Sequence, residues 1–243
     1  MIPLKLLRRT DVRPYMTYAL VLVNILVFIW EVFLPDANVN RVFMDISITT
    51  CQVATQFFHP KTWLDILRSM FLHGGFAHLF GNMLFLVVFA PSLEEYFGHS
   101  RFLGFYLLSG VAAVLIHAGV EAATRSLGCE LPYMTAGNVP LVGASGAISG
   151  LLGGFILMFP GTKVRTLIPI FGGIGPVGNI SAFLSIGYWF ALQLFSGFAA
   201  IAPSGAISNV AYWAHIGGFL FGLIAVFLAT TIVPPPPQNL TES

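Results

Sequence analysis

Ser145 lies in the run Gly143-Ala144-Ser145-Gly146, and a histidine, His215, follows far along the chain in Ala214-His215-Ile216-Gly217-Gly218. A serine hydroxyl attacks a carbonyl effectively only when a base removes its proton, and a neutral imidazole is suited to that task. The tetrahedral product carries an oxyanion, which needs hydrogen-bond donors. His78 and Asn82 offer two, because residues four apart project from one face of a helix, and the backbone N–H of Ser145 offers a third. These residues point to carbonyl hydrolysis by a Ser-His dyad, with Ser145 as nucleophile, His215 as base, and His78 and Asn82 as oxyanion donors. The plainer alternative is a helix-packing motif that carries an incidental serine and a buried histidine, with Asn82 as interhelical glue.

The acids shape the mechanism. Of ten Asp and Glu residues, all but Glu31 and Glu121 read as loop or tail, and neither of those two is spaced to support His215. A dyad without an acid is therefore expected. The sequence holds no HExxH for zinc and no pair of helix-embedded aspartates, while His73, His78, His117 and His215 lack ligand-like spacing. No metal is expected.

The elements that must position these groups follow from composition. Of 243 residues, 56% are apolar and 9% charged, against roughly a quarter charged in soluble domains, which excludes a water-soluble fold. A net charge of +1 leaves no basic footprint for nucleic acid, and two cysteines cannot build a disulfide framework. Apolar windows over 16–34, 77–93, 102–120, 140–159, 180–202 and 209–232 predict an all-α polytopic bundle of six membrane helices. The second, fourth and sixth run in one direction, and the four polar residues fall early in each. At ~1.5 Å per residue they share one depth, within roughly 12 Å of one surface.

Small residues give the helices a way to meet. Gly146, Gly150 and Gly154 recur every four residues, with Ser145, Ser149 and Gly153 forming a second stripe beside them; Gly218 and Gly222 follow His215 at i+3 and i+7. If these faces pack, His215 reaches Ser145.

The flanks set organisation and direction. A basic segment, 1–15, precedes the six-helix domain, 16–232, and a Pro-rich disordered tail, 233–243, follows. The first helix reads as an uncleaved signal anchor, since its apolar run is long and no small-x-small cleavage site follows. With both termini cytoplasmic, Lys5, Arg8, Arg9, Arg13, Arg101, Lys163 and Arg165 lie inside, against Arg41, Lys61, Arg68 and Arg125 outside. The long loop after the first helix carries Trp63, Ile66, Leu67, Met70 and Phe71 at helical spacing, an amphipathic segment at the outer leaflet. The loop 160–179 holds Gly173, Gly175 and Gly178 without the βαβ context of a nucleotide site, and reads as a flexible connection. Ser204-Gly205-Ala206-Ile207-Ser208 repeats the Ser145 run but follows Pro203 in an outside turn, so Ser204 reads as turn chemistry. Cys51 and Cys129 both fall outside; two unpaired thiols are expected, with a disulfide as the alternative.

With these residues in place, the sequence resembles the rhomboid family of intramembrane serine proteases. The resemblance rests on Gly143 to Gly146, His78-x-x-x-Asn82 and Ala214-His215-x-x-Gly218, in that family's motifs, and runs from the first helix to Gly222. It implies Ser145 as nucleophile, His215 as base, and His78, Asn82 and the Ser145 amide as oxyanion site. It also implies a first loop that enters the leaflet sideways, substrate entry gated by the fifth helix and the loop after it, and no need of cofactor or ATP. Some relatives support the histidine with a tyrosine one turn after the serine; here that position is Ser149, which leaves Tyr212 or Trp213 as substitutes. No appended soluble domain is expected. The reading is a multi-pass serine endopeptidase of the cell (plasma or inner) membrane that cleaves helix-destabilised segments of membrane proteins near the outer face. An inactive rhomboid-like protein that binds client helices is the alternative, and a small transporter a third.

Overall fold

The computed structural model describes residues 1–130, 135–168, 170, 175–202 and 210–232, with backbone only at 36–40, 136 and 232. The tail at 233–243, Ser204 and Gly173 lie outside the described residues. Among the described residues, five helices are long and apolar enough to cross a membrane: α1 (Tyr15–Val32), α5 (Phe76–Phe97), α6 (His99–Thr124), α8 (Ala182–Ile201) and α9 (Tyr212–Ile232). A sixth apolar helix, α7 (Ser145–Met158), has 14 residues. The protein is a mostly helical, multi-pass membrane protein.

Residue pairs fix the packing. Thr17 meets Glu94 and Phe28 meets Phe76, so α1 and α5 run antiparallel. A Cβ at Gly218 would strike the carbonyl of Gly146, and one at Gly222 the carbonyl of Gly150, so α7 and α9 run parallel with their backbones in contact. The glycine faces read from the sequence do meet. The opposite flank of α7 seats Gly146 against Ala113 and Gly150 against Ser109 of α6. Fully buried Phe89, Phe102, Tyr106, Leu151 and Phe155 fill the space between α5, α6 and α7.

Three expectations need correction. First, the fold is not all-α. β1 (Ile2–Leu6) pairs antiparallel with β2 (Lys163–Leu167), and β2 with β3 (Val177–Ser181). Lys163 and Arg165 are exposed while Val164 and Thr166 are buried, the period-2 signature of a strand with one covered face. The glycines of the loop 160–179 mask that alternation, and its described residues hold β2 and most of β3, with β2 paired to the N-terminal strand. Second, Cys51 and Cys129 form a disulfide, with Cα atoms 5.5 Å apart, rather than two unpaired thiols. Folding brings them together because Cys51 lies in α3 (Thr50–Thr55), which packs against α6 just before the chain reaches Cys129. Third, acids beyond Glu31 and Glu121 lie within helices. Asp65 is buried in α4 (Pro60–Ser69), held by Lys61 and Gln52. Glu94 is buried in α5 and accepts from the backbone N–H groups of Met16 and Thr17, each at 2.7 Å. It thereby caps the first turn of α1, where unpaired N–H groups and the helix dipole favour an anion.

The long first loop is a layer of short helices: α2 (Asp36–Ile46), α3 and α4. Pro60 opens α4 at its first turn, and the His59 ring accepts from the backbone N–H of Lys61. The five residues read at helical spacing do not share one face: Ile66 is buried beside Thr62, Asp65 and Ser69 while Trp63, Leu64 and Leu67 are exposed, and Met70, also buried, and Phe71 lie just beyond the helix end.

Candidate active site

Ser145 is the first residue of α7, and the chain approaches it through Leu141, bridged to Ile48, and a bend at Gly143. That approach is pinned by backbone hydrogen bonds, Leu141 N–H to Ile48 O and Gly143 N–H to Ser69 O, both 2.8 Å. Gly143 has φ +113°, and a Cβ there would lie 2.6 Å from His78 Nε2 and 3.4 Å from Asn82 Nδ2. Both conformation and space therefore require glycine at this position. It lets the backbone pass directly over the polar face of α5.

Across the cavity, His215 Nε2 stands 2.8 Å from Ser145 Oγ. The 2.8 Å contact suits proton transfer between hydroxyl and imidazole. The other ring nitrogen, Nδ1, is 2.8 Å from Gln193 Oε1, and the Trp189 ring lies 5.9 Å away, tilted by 40°. A cavity of about 810 Å³ is lined by Ser145, His215, His78, Asn82, Trp189 and Trp213, among others. The structure thus brings all four sequence-derived site residues around one cavity. N–H groups in the first turn of α7 lie beyond the reach of intrahelical acceptors, so the Ser145 amide is a free donor by helix geometry.

Asn82 has a partner of its own. Its Nδ2 lies 2.9 Å from His73 Nε2, and His73 Nδ1 lies 3.2 Å from the Phe71 carbonyl. An amide nitrogen only donates, so His73 accepts at Nε2 and carries its proton on Nδ1, which donates to Phe71. Burial, reinforced by nearby His78, pushes His73 down to about 4, which keeps the ring neutral as this pattern demands. The His73 backbone N–H donates to both oxygens of Glu31, at 3.0 and 3.3 Å. Since the Asn82 amide has two N–H bonds, one remains for the cavity.

Residues 60–231 match the Rhomboid domain, which is most of the chain. The chain belongs to the rhomboid family. It is 30% identical to Rhomboid protein 1, mitochondrial, of Saccharomyces cerevisiae over 162 residues, covering 66% of this chain and 40% of that protein. It is 28% identical to Rhomboid protease AarA of Providencia stuartii over 230 residues, covering 90% and 73% of the two chains. To Rhomboid protease GluP of Bacillus subtilis it is 26% identical over 213 residues, 88% of this chain and 34% of that protein. The chain spans less than half the length of the yeast relative.

Within this rhomboid domain, the residues beside His215 differ from those the sequence suggested. Ser149 does not reach it: its hydroxyl donates to the Ser145 carbonyl at 2.6 Å. Trp213 donates from Nε1 to the Gly197 carbonyl at 3.1 Å, which ties α9 to α8. Gln193 and Trp189, four residues apart on α8, take the place next to the ring. Gln193 carries a readable signal: it is a polar side chain inside an apolar helix, the same anomaly that marks Asn82. His73 also goes unread, because at the mouth of a helix a histidine looks like loop.

Proposed function

We propose that this rhomboid-family protein is an intramembrane serine endopeptidase in which Ser145 attacks the scissile carbonyl and His215 takes its proton. The observation that carries this reading is the 2.8 Å contact between Ser145 Oγ and His215 Nε2 at the wall of a cavity. After attack, the oxyanion sits against the Ser145 amide, the second Asn82 N–H and the His78 imidazole, where fixed donors in a water-poor site lower the barrier most. His215 then returns the proton to the leaving amine, and water repeats the sequence on the acyl-enzyme. A substrate helix hides its carbonyls in its own hydrogen bonds, so segments weakened by small or helix-breaking residues are cleaved.

Two independent features support a cytoplasmic N-terminus. The disulfide-bonded end of the bundle, which bears Ser145, belongs in an oxidising space. The opposite end gathers Lys5, Arg8, Lys163 and Arg165 on and beside the small sheet, as a cytoplasmic face does. Cleavage near the outer face of the cell membrane follows from this orientation. A fluorophosphonate probe, which reacts with activated serines, tests the reading: wild type should label and Ser145→Ala should not. Equal labelling of the two proteins would refute it.

A further inference from the structure

We infer that Gln193 is the positioning residue for His215: its side-chain oxygen holds the Nδ1 proton, so that Nε2 presents a lone pair to the Ser145 hydroxyl. The inference rests on the reading of Ser145 and His215 as the working pair. Its ground is the linear arrangement Gln193 Oε1, His215 Nδ1, His215 Nε2, Ser145 Oγ, with both end contacts at 2.8 Å. Trp189, one turn before Gln193, stands beside the ring, so α8 supplies both an in-plane and a ring contact to a histidine of α9.

A neutral imidazole has two tautomers, and only the one with its proton on Nδ1 can accept from serine. An acceptor at Nδ1 selects that tautomer. Among the described residues, the buried and half-buried helical carboxylates are committed elsewhere: Glu31 to the His73 backbone, Asp65 to Lys61 and Gln52, Glu94 to the start of α1, Glu95 to Arg8, and Glu121 to Thr50 and Arg125. An uncharged amide thus does the orienting. A neutral amide has a cost, since it stabilises the imidazolium formed during attack less than a carboxylate would. It has a second consequence. Turned over, the amide would donate to Nδ1 and favour a proton on Nε2, which silences the dyad. The position of α8 therefore bears directly on the protonation pattern of the base.

The test uses the full chain in detergent with a reporter transmembrane substrate, reading kcat, KM, thermal stability and the rate of fluorophosphonate labelling. Gln193→Met keeps the bulk and removes the acceptor. It should lower kcat and labelling rate about 10- to 100-fold, the worth of a hydrogen bond to a group that becomes charged, with KM within about twofold. Gln193→Glu keeps an acceptor oxygen at the same reach and should restore kcat to the wild-type value or above. Wild-type kcat and labelling in Gln193→Met would overturn the inference while leaving the protease reading intact. So would a loss expressed in KM or stability alone. The Glu variant decides the matter by itself should the Met variant fail to accumulate: a kcat below a tenth of wild type overturns the inference. A wild type that neither labels nor cleaves removes the protease reading and this inference with it.

Discussion

The contact between α7 and α9 sets the distance between the two reacting groups, so a single methyl group placed there should be felt at the site. In Gly218→Ala the added Cβ would lie against the Gly146 carbonyl oxygen, a backbone atom one residue from Ser145 that no side-chain rotation can move. A carbon rests about 3.3 to 3.6 Å from a carbonyl oxygen, so the helices must part by about 1 Å locally. His215 lies three residues before Gly218 on α9. It would retreat with its helix, and the 2.8 Å contact to Ser145 would open beyond hydrogen-bonding range.

Two magnitudes follow. Overpacking of this kind costs about 1 to 3 kcal/mol of stability. A displacement of about 1 Å between reacting groups lowers the rate on the order of 100-fold. Gly104→Ala is the control: it lies in α6, and a Cβ there meets nothing within 4 Å. The assay pairs thermal stability in detergent with cleavage of a reporter transmembrane substrate. Gly218→Ala should lose on both measures and Gly104→Ala on neither. If Gly218→Ala keeps normal stability and normal cleavage, the backbones are not in contact and the packing account of the Ser145–His215 distance is wrong.

Asn82→Ala removes one oxyanion donor and should lower kcat by about 10²- to 10³-fold without abolishing it, because two donors remain; wild-type rates would remove Asn82 from the site. Cys51 and Cys129 should resist alkylation until reduced, and Cys51→Ser should cost about 2 to 4 kcal/mol of stability; ready alkylation under native, non-reducing conditions would exclude the bridge. Glu94→Ala strips the first turn of α1 of its acceptor and should destabilise the protein by about 1 to 3 kcal/mol, read as a fall in melting temperature. His73 has an ordinary value of 6.5 and a folded value of about 4, so the unfolded chain binds the proton first and stability falls as pH drops from 6.5 towards 4. His73→Gln should show a shallower loss over that window, and an equal slope would refute the assignment.

Legibility in the sequence tracked how costly each residue is where it stands. Asn82, Ser145 and His215 are visible because a polar group in an apolar helix demands a reason, and the glycine stripes are visible because their spacing matches the helical repeat. Gln193 meets the same criterion, yet its use depends on α8 and α9 lying side by side, which composition does not state. β2 is hidden by its glycine-rich surroundings, although Val164 and Thr166 alternate with Lys163 and Arg165. Glu94 illustrates a different limit. It sits near the end of α5, where a carboxylate looks solvated; only the arrival of α1 turns it into a cap.

The depth of the site follows from the shortness of α7. Fourteen residues rise about 21 Å, some 10 Å less than the hydrocarbon thickness, so a helix anchored at one face stops well short of the other. Non-helical backbone must cover the remainder, and at membrane depth such backbone survives only where its polar groups are paired. Here the layer of short helices supplies the pairing, through Ile48 and Ser69. The disulfide holds α3, which begins two residues after Ile48, against the far end of α6. The first loop is therefore part of what places Ser145: it pairs the backbone of the segment that delivers the serine and seats Gly143 over His78 and Asn82.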